Sequence, residues 1–344
     1  MQVARALQLV MRMGRSYNDA MRILFVSATR IGDAVLSTGL LGHLTETHPG
    51  ARITIACGPA AAELFEALPG LDHVIVLEKM VASLHWLRLW GLTVGKFWDM
   101  VVDLRSAPLT YLLAAKKQFH MHKHRHSGHR IRQLAGVMRL EDNPPLPRLW
   151  TAPKHDELAA QLIPDDEPVL AIGPVANWRA KTWRAGKFAE LCRRVTAPDG
   201  LLPFGRIALF GAPEERPEAM NLIESIPAEQ RIDLIGRIGL LDIYACLKRC
   251  AYYVGNDSGL THIAAASGVP TLGLFGPSRE ELYGPCGKLA ASVRTPESFD
   301  DIHPDHFNHK TSDTLMDGLN VDHALEALSV LAAKSRGRQL ELFG

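Results

Sequence analysis

GNDSGLTHIAAASGVPTLGLFGPS, residues 255–278, follows the apolar run AYYV and decides the fold. An apolar run, a polar turn between two glycines, a helical pattern and a second apolar run closing on Gly-Pro-Ser make one strand–loop–helix–strand unit of a parallel sheet. The loop then sits at the carboxyl end of a strand, where open α/β sheets bind ligands. Ser258 or Asp257 can cap the helix, and Gly259 lets a ligand approach the backbone. The free amides of the first helical turn favour a phosphate. His262, four residues after Ser258, lies on the same side of that turn. Gly276, Pro277 and Ser278 offer further backbone and hydroxyl donors at the same edge. Taken alone, the same residues also suit an ordinary capped helix with a core histidine.

Working outward, the pattern repeats. PVLAIGP, RIALFGA, RIDLIG and CAYYVG read as further strands of the second half, and RILFVSA, RITIAC, HVIVLE and DMVVDLR as strands of the first. Helical stretches separate them, among them AVLSTGLLGHLTETHP, PAAAELFEALPG and KFAELCRRV. NPPLPRLWTAP, residues 143–153, carries prolines that neither a helix nor a central strand accommodates, and it reads as the connection between two domains. The expected division is an N-terminal extension at 1–20, a first domain at 21–150, a second at 151–320, and a C-terminal helix with a frayed tail at 321–344.

Two more loops bear on chemistry. After the strand ending near Gly173, VANWRAKTWRAG brings Asn177 and three cations, Arg179, Lys181 and Arg184, to the same sheet edge. A lysine there reaches a diphosphate as a mobile point charge. In the first half, SATRIGDAV runs from strand to helix without the GxGxxG of a dinucleotide site. Asp33 either caps that helix or faces the interdomain cleft as a general base.

Composition sets bounds. The 344 residues are 47% hydrophobic, enough for two globular domains. Five cysteines without CxxC spacing argue against a disulfide framework or zinc site and fit a reducing cytoplasm; Cys246 and Cys250 read as small buried side chains. No apolar stretch reaches the roughly 20 residues of a membrane span. Residues 1–150 hold 18 Lys and Arg against 11 Asp and Glu, and residues 151–344 hold 20 against 26. The first half therefore suits an anionic partner. Nucleic acid would account for the basic first half but not for the acidic second, so it is not expected.

These residues together resemble glycosyltransferase family 9, the ADP-heptose:lipopolysaccharide heptosyltransferases and their relatives. IGDAVLSTGLL, KTWRAGKFAEL, GRIGLLDIYACL and the 255–278 motif carry the resemblance, in order, between about Met21 and Val330. It implies a GT-B fold: two Rossmann-like α/β domains facing across a cleft, acceptor on the first, nucleotide sugar on the second, with the final helix packing back toward the first. By resemblance Asp33 is the catalytic base, Lys181 the donor-phosphate lysine, and Asp257, Ser258, Gly259 and His262 the diphosphate and sugar element. Asn177 stands where the family usually has Thr or Ser, and Glu214 or Glu215 where an acidic residue meets ribose. The implied reaction is inverting transfer of heptose from ADP-heptose to an anionic lipopolysaccharide inner-core acceptor. A family member using another nucleotide sugar, or a nucleotide-sugar binder without transfer activity, stays open. The chain has no DxD triplet, so neither metal nor cofactor is expected.

On the acceptor side, FHMHKHRHSGHRIRQLAGVM alternates histidines with Lys123 and Arg125. It reads as a solvated basic loop, a metal site, or an acceptor element; for the last, the resemblance implies His126, His129 and Arg130. Residues 79–98 set Trp86, Trp90 and Trp98 beside Arg88 and Lys96. That pattern suits a membrane interface, as a lipid-linked acceptor would require, or ordinary burial with snorkelling charges. The expected location is the cytoplasm, with peripheral contact at the inner face of the inner membrane.

Overall fold

A computed structural model of the chain describes residues 20–121, 128–303, 307–308 and 312–343. The N-terminal extension up to residue 19, and His126 with most of the histidine run, lie outside the described residues.

The first sheet is built from β1 (Arg22–Val26), α1 (Ile31–Thr47), β2 (Arg52–Cys57), β3 (Leu71–Val76), α2 (Leu84–Thr93), β4 (Trp98–Asp103) and β5 (Ala115–His120), followed by α3 (Arg130–Gly136). Its strand order is β3-β2-β1-β4-β5, parallel throughout. The second domain runs α4 (Pro153–Leu162), β6 (Val169–Gly173), α5 (Ala185–Val195), β7 (Arg206–Leu209), α6 (Arg216–Ser225), β8 (Arg231–Asp233), α7 (Leu240–Leu247), β9 (Tyr252–Asn256), α8 (Gly259–Ser267), β10 (Thr271–Phe275), α9 (Glu280–Tyr283), β11 (Ala290–Arg294) and α10 (Val321–Phe343). Its order is β11-β10-β9-β6-β7-β8, again parallel.

Both sheets start in the middle, grow to one side, then return to grow on the other. The reversal falls between β1 and β4 in the first sheet and between β6 and β9 in the second. At such switch points the loops after neighbouring strands turn opposite ways and leave a crevice. Central strands are apolar on both faces, as sheets covered by helices require: β6, β9 and β10 are buried at every position.

The domains meet through α1 and α8, and one apolar cluster runs through both, including Ile31 and Leu36 from the first and Leu241 and Ile263 from the second. The connection at 143–152 has no regular structure and crosses α1 at Gly39, where a Cβ would collide with the Pro145 carbonyl. Glu63 of the first domain reaches the start of α7, its Oε1 3.4 Å from Leu241 N.

Three expectations need correction. PAAAELFEALPG forms a 3-10 helix over Pro59–Phe65 in place of a full α-helix; it is short and opens and closes on i→i+3 bonds, Ala61 N to Gly58 O and Glu66 N to Glu63 O. The tail after residue 333 is not frayed, because α10 continues to Phe343. Among the described residues that helix packs mainly on α5, β10 and β11, with Ala324, Leu328, Leu331 and Ala332 in the second domain's core, where the resemblance implied packing toward the first domain. β5 and β11 were also not anticipated. Both are edge strands and mostly half-exposed, so neither shows the continuous apolar run of a central strand.

Candidate active site

Two helix starts face each other across the crevice. From the first domain, β1 leads through Ala28–Arg30 into α1. From the second, β9 leads through Asp257 and Ser258 into α8. They approach so closely that a Cβ on Gly259 would lie 3.1 Å from Gly32 N, and one on Gly32 would lie 3.0 Å from His262 Cδ2. A side chain at either position would press on the opposite lobe, so glycine suits both.

On the first-domain side, Arg30 is the N-cap of α1 and makes no side-chain capping bond, and its carbonyl accepts from Ala34 N at 3.0 Å. Asp33 therefore stands in the first turn rather than at the cap, which removes the capping reading. Its Oδ1 lies 3.5 Å from Arg130 Nε. Asp33, Arg30, Arg105, Ser106, Arg130 and Gln133 line a cavity of about 380 Å³. Arg130 is held by α3 and donates to Gln133 Oε1 at 3.1 Å.

Arg105 and Ser106 owe their place to Asp103, the last residue of β4. The fully buried Asp103 carboxylate accepts from Arg105 N, Ala107 N and Thr110 Oγ1, each at 2.7 Å. Ser106 adopts a φ of 52°, a left-handed conformation stabilised by its hydroxyl bond to the Met121 carbonyl. The sequence reading missed this loop and the cavity it shapes.

On the second-domain side, Lys181 Nζ lies 2.5 Å from Asp257 Oδ2, with both side chains mostly buried. The ammonium also stands 4.7 Å from the centre of the Trp178 ring. Asn256 sets this register. Buried entirely, it accepts from Trp183 N at 3.0 Å and donates to Pro174 O at 2.7 Å, tying the lysine loop to the end of β9. The other two cations of that loop are engaged elsewhere: Arg179 pairs with Asp313, and Arg184 with Asp317 and Asp313. Arg184 holds the Asp317 carboxyl below its usual range.

Ser258 is the N-cap of α8, but its hydroxyl makes no capping bond. His262 is buried, and burial drives its pKa below the usual value although Asp257 and Asp33 pull the other way. The ring is thus neutral near pH 7, and its Nδ1 is buried without a protein partner. The Ser278 hydroxyl is likewise buried and unpartnered at the adjoining loop. Buried polar atoms in this condition at one sheet edge suit a polar ligand.

Residues 95–304, more than half of the chain, match the family model of glycosyltransferase family 9 (heptosyltransferase). The chain belongs to this family. Lipooligosaccharide heptosyltransferase 2 of Haemophilus influenzae is 23% identical over 80% of this chain and 89% of its own length. Lipopolysaccharide heptosyltransferase 1 of Salmonella typhimurium is 24% identical over 80% and 95%. Among solved structures, the Escherichia coli ADP-heptose lipopolysaccharide heptosyltransferase II superposes with a TM-score of 0.71 at 21% identity, over 92% of this chain and all of that one. A family 9 glycosyltransferase from Veillonella parvula gives 0.74 at 19% identity, over 91% and 98%. The fold of this family 9 enzyme is GT-B, two parallel-sheet α/β domains across a cleft.

The remaining expected site residues of the family 9 enzyme fall in different settings. Asn177 is exposed in the loop after β6. Glu214 is exposed, whereas Glu215 accepts from Ala212 N at 2.8 Å and closes its own turn. Burial raises the Glu215 pKa. Gly276 has a packing reason, since a Cβ there would press on Met316 Sδ at 2.5 Å, and Pro277 beside it is buried. His129 turns away from the cavity. Its Nδ1 accepts from Ile131 N at 3.2 Å, its Nε2 donates to Gly284 O of the second domain at 2.9 Å, and Cys286 Sγ stands 3.5 Å away. Arg130 alone of the expected acceptor residues lines the cavity among the described residues.

Proposed function

We propose that this enzyme transfers heptose from ADP-heptose to an anionic inner-core saccharide of lipopolysaccharide, inverting the anomeric configuration. The observation that carries the reading is the convergence across the cleft: Asp33 in the first turn of α1, and the Lys181–Asp257 pair with His262 at the start of α8. The named relatives are lipopolysaccharide and lipooligosaccharide heptosyltransferases, and an Escherichia coli heptosyltransferase has been solved with ADP and with ADP-2-deoxy-2-fluoro heptose.

In this reading the diphosphate lies against the first-turn amides of α8, with Lys181 as its counter-charge and Ser278 as a hydroxyl donor. Asn177 and Glu214 flank the nucleotide. The acceptor occupies the cavity, its phosphate or carboxylate groups facing Arg30, Arg105 and Arg130. Asp33 takes the proton of the attacking hydroxyl while that oxygen bonds to the anomeric carbon. The bond from that carbon to the β-phosphate oxygen breaks, its electron pair leaves with ADP, and the transition state is oxocarbenium-like. Lys181 and the helix start stabilise the charge gathering on the leaving group. The acceptor is lipid-linked, so the enzyme works in peripheral contact with a membrane surface.

Incubation with a panel of ADP-, UDP- and GDP-sugars and a deacylated lipopolysaccharide core tests this directly. Mass spectrometry should show one heptose added from ADP-heptose, and NMR of the product should show the inverted anomer. Transfer only from a different nucleotide sugar would assign the enzyme to another polysaccharide pathway, and nucleotide binding without transfer would make it a binding protein.

A further inference from the structure

The α2 helix has apolar residues all round yet is only half covered. Its inner face, Trp86, Leu89, Trp90 and Thr93, packs on the first sheet. Its outer face carries Leu84, Leu87, Arg88, Gly91 and Leu92, and the three leucines are about half exposed. A surface helix normally turns charged residues outward, as α5 does with Lys187, Glu190 and Arg193. The apolar surface extends beyond the helix. Val81 is 87% exposed just before it, raised on two consecutive left-handed residues, Ala82 and Ser83, and Leu112 is 66% exposed on the neighbouring 3-10 turn.

The charge around this surface is mainly of one sign. Between Glu78 and Lys117 the chain has six Lys and Arg and three carboxylates. Asp103 is sealed in the core, Asp99 pairs with Lys116 at 2.6 Å, and Glu78 is exposed beside Lys79. Arg88, Lys96 and Lys117 are exposed as well. The surface also adjoins the acceptor cavity, because Arg105 in the cavity wall lies 5.6 Å from the centre of the Trp86 ring.

We infer that the outer face of α2, with Val81 and Leu112, docks on an anionic lipid bilayer, the leucines entering the headgroup boundary and the surrounding cations meeting lipid phosphates. Apolar side chains ringed by Lys and Arg are what an interfacial helix presents to such a surface. Docked this way, the mouth of the cavity lies beside the membrane from which a lipid-linked saccharide projects. The inference rests on the lipid-linked acceptor proposed above for its purpose, though not for its test.

Co-sedimentation with vesicles of phosphatidylethanolamine and phosphatidylglycerol tests it. The full-length enzyme should partition onto these vesicles and not onto phosphatidylcholine alone, and added salt should weaken the binding. Leu84→Glu with Leu87→Glu should lower partition at least about tenfold, given the apolar area withdrawn. Turnover on the deacylated core should be unchanged, and turnover on vesicle-embedded acceptor should fall. If the double variant misfolds by circular dichroism, Arg88→Ala with Lys96→Ala and Lys117→Ala reads the electrostatic part instead, with a reduced salt dependence expected. Wild-type protein that ignores anionic vesicles, or variants that bind as well as wild type, would overturn the inference. So would an analytical-ultracentrifugation mass that halves in the leucine variant without lipid, which assigns the face to a second copy of the chain. Vesicle binding that depends on these leucines, in an enzyme that transfers no sugar to any core acceptor, would sink the proposed reaction and leave the docking face standing.

Discussion

Lys181 and Asp257 form an ion pair at 2.5 Å that joins two loops 76 residues apart, and Asn256 beside it fixes both loops to the same strand end. In the proposed reaction the carboxylate orients the ammonium before the donor arrives, and a diphosphate then competes for the same charge. Replacing Lys181 with Ala removes the counter-ion of the leaving group and strands a buried carboxylate next to it. The expected result is a loss of about 10² or more in kcat/KM, split between a higher donor KM and a lower kcat. Lys181→Arg should recover little, since a guanidinium spreads its charge over a rigid planar fork where Lys181 places a compact point charge 4.7 Å from the Trp178 ring centre. Steady-state kinetics with ADP-heptose, and calorimetric titration of ADP, check both.

Asp33 makes a different contribution. It lines the cavity proposed for the acceptor, so Asp33→Asn should lower kcat by about 10² to 10⁴ while ADP affinity changes little. Arg130→Ala should raise acceptor KM, because Arg130 both lines the cavity and fixes the Asp33 carboxylate. Near-normal turnover in the Asn variant would return Asp33 to a structural position in the first turn of α1.

The lines of the second sheet were legible because central parallel strands are apolar on both faces and their loops carry glycine punctuation; α8 runs over the residues its pattern indicates, Gly259–Ser267. That Lys181 and the start of α8 share one sheet edge was legible too, since the strands before them pair in the sheet, but their direct ion pair was not. Less visible was Asn256, which stands inside the quoted motif. Its function depends on partners at Pro174 and Trp183, and no local spacing announces them. The Asp103 loop was hidden for the same reason: an aspartate ending a strand does not reveal that three donors will converge on it. His129 sits in a basic run that suggests a surface, while its partner Gly284 comes from the other domain.

That histidine makes interdomain contact sensitive to pH. Burial lowers the His129 pKa, although its bond to Gly284 opposes this. The folded value then lies below the unfolded one of about 6.5, and the unfolded chain binds the extra proton first as pH drops. Stability is full above the unfolded value and declines as pH falls from there toward the folded value. A protonated ring also loses its acceptor for Ile131 N. His262, shifted the same way, adds to the slope. Thermal unfolding followed from about pH 8 to about pH 5 should show a falling Tm, and His129→Gln should start lower and fall less. An unchanged slope would mean that the interdomain bond contributes nothing to the pH response.

One buried tyrosine shapes the floor of the proposed donor site. The Tyr253 side chain is fully buried beneath the ends of β6 and β9, its hydroxyl 3.1 Å from Thr261 Oγ1, and Thr261 in turn donates to Asn256 O. A Cβ on Gly173 would fall against that hydroxyl. Gly173→Ala should therefore destabilise by about 1 to 3 kcal/mol through overpacking. Tyr253→Phe alone should cost about 1 kcal/mol for the lost hydrogen bond. In the double variant the hydroxyl is gone, and the nearest remaining atoms to the new methyl are Leu260 Cδ2 and Tyr253 Cζ, each at 3.1 Å. The double variant should thus be more stable than the sum of the singles by about 1 kcal/mol, read from urea midpoints at constant slope. Strict additivity would place the strain of Gly173→Ala elsewhere and leave the Tyr253–Thr261–Asn256 chain without its part in shaping the loop that carries Asp257.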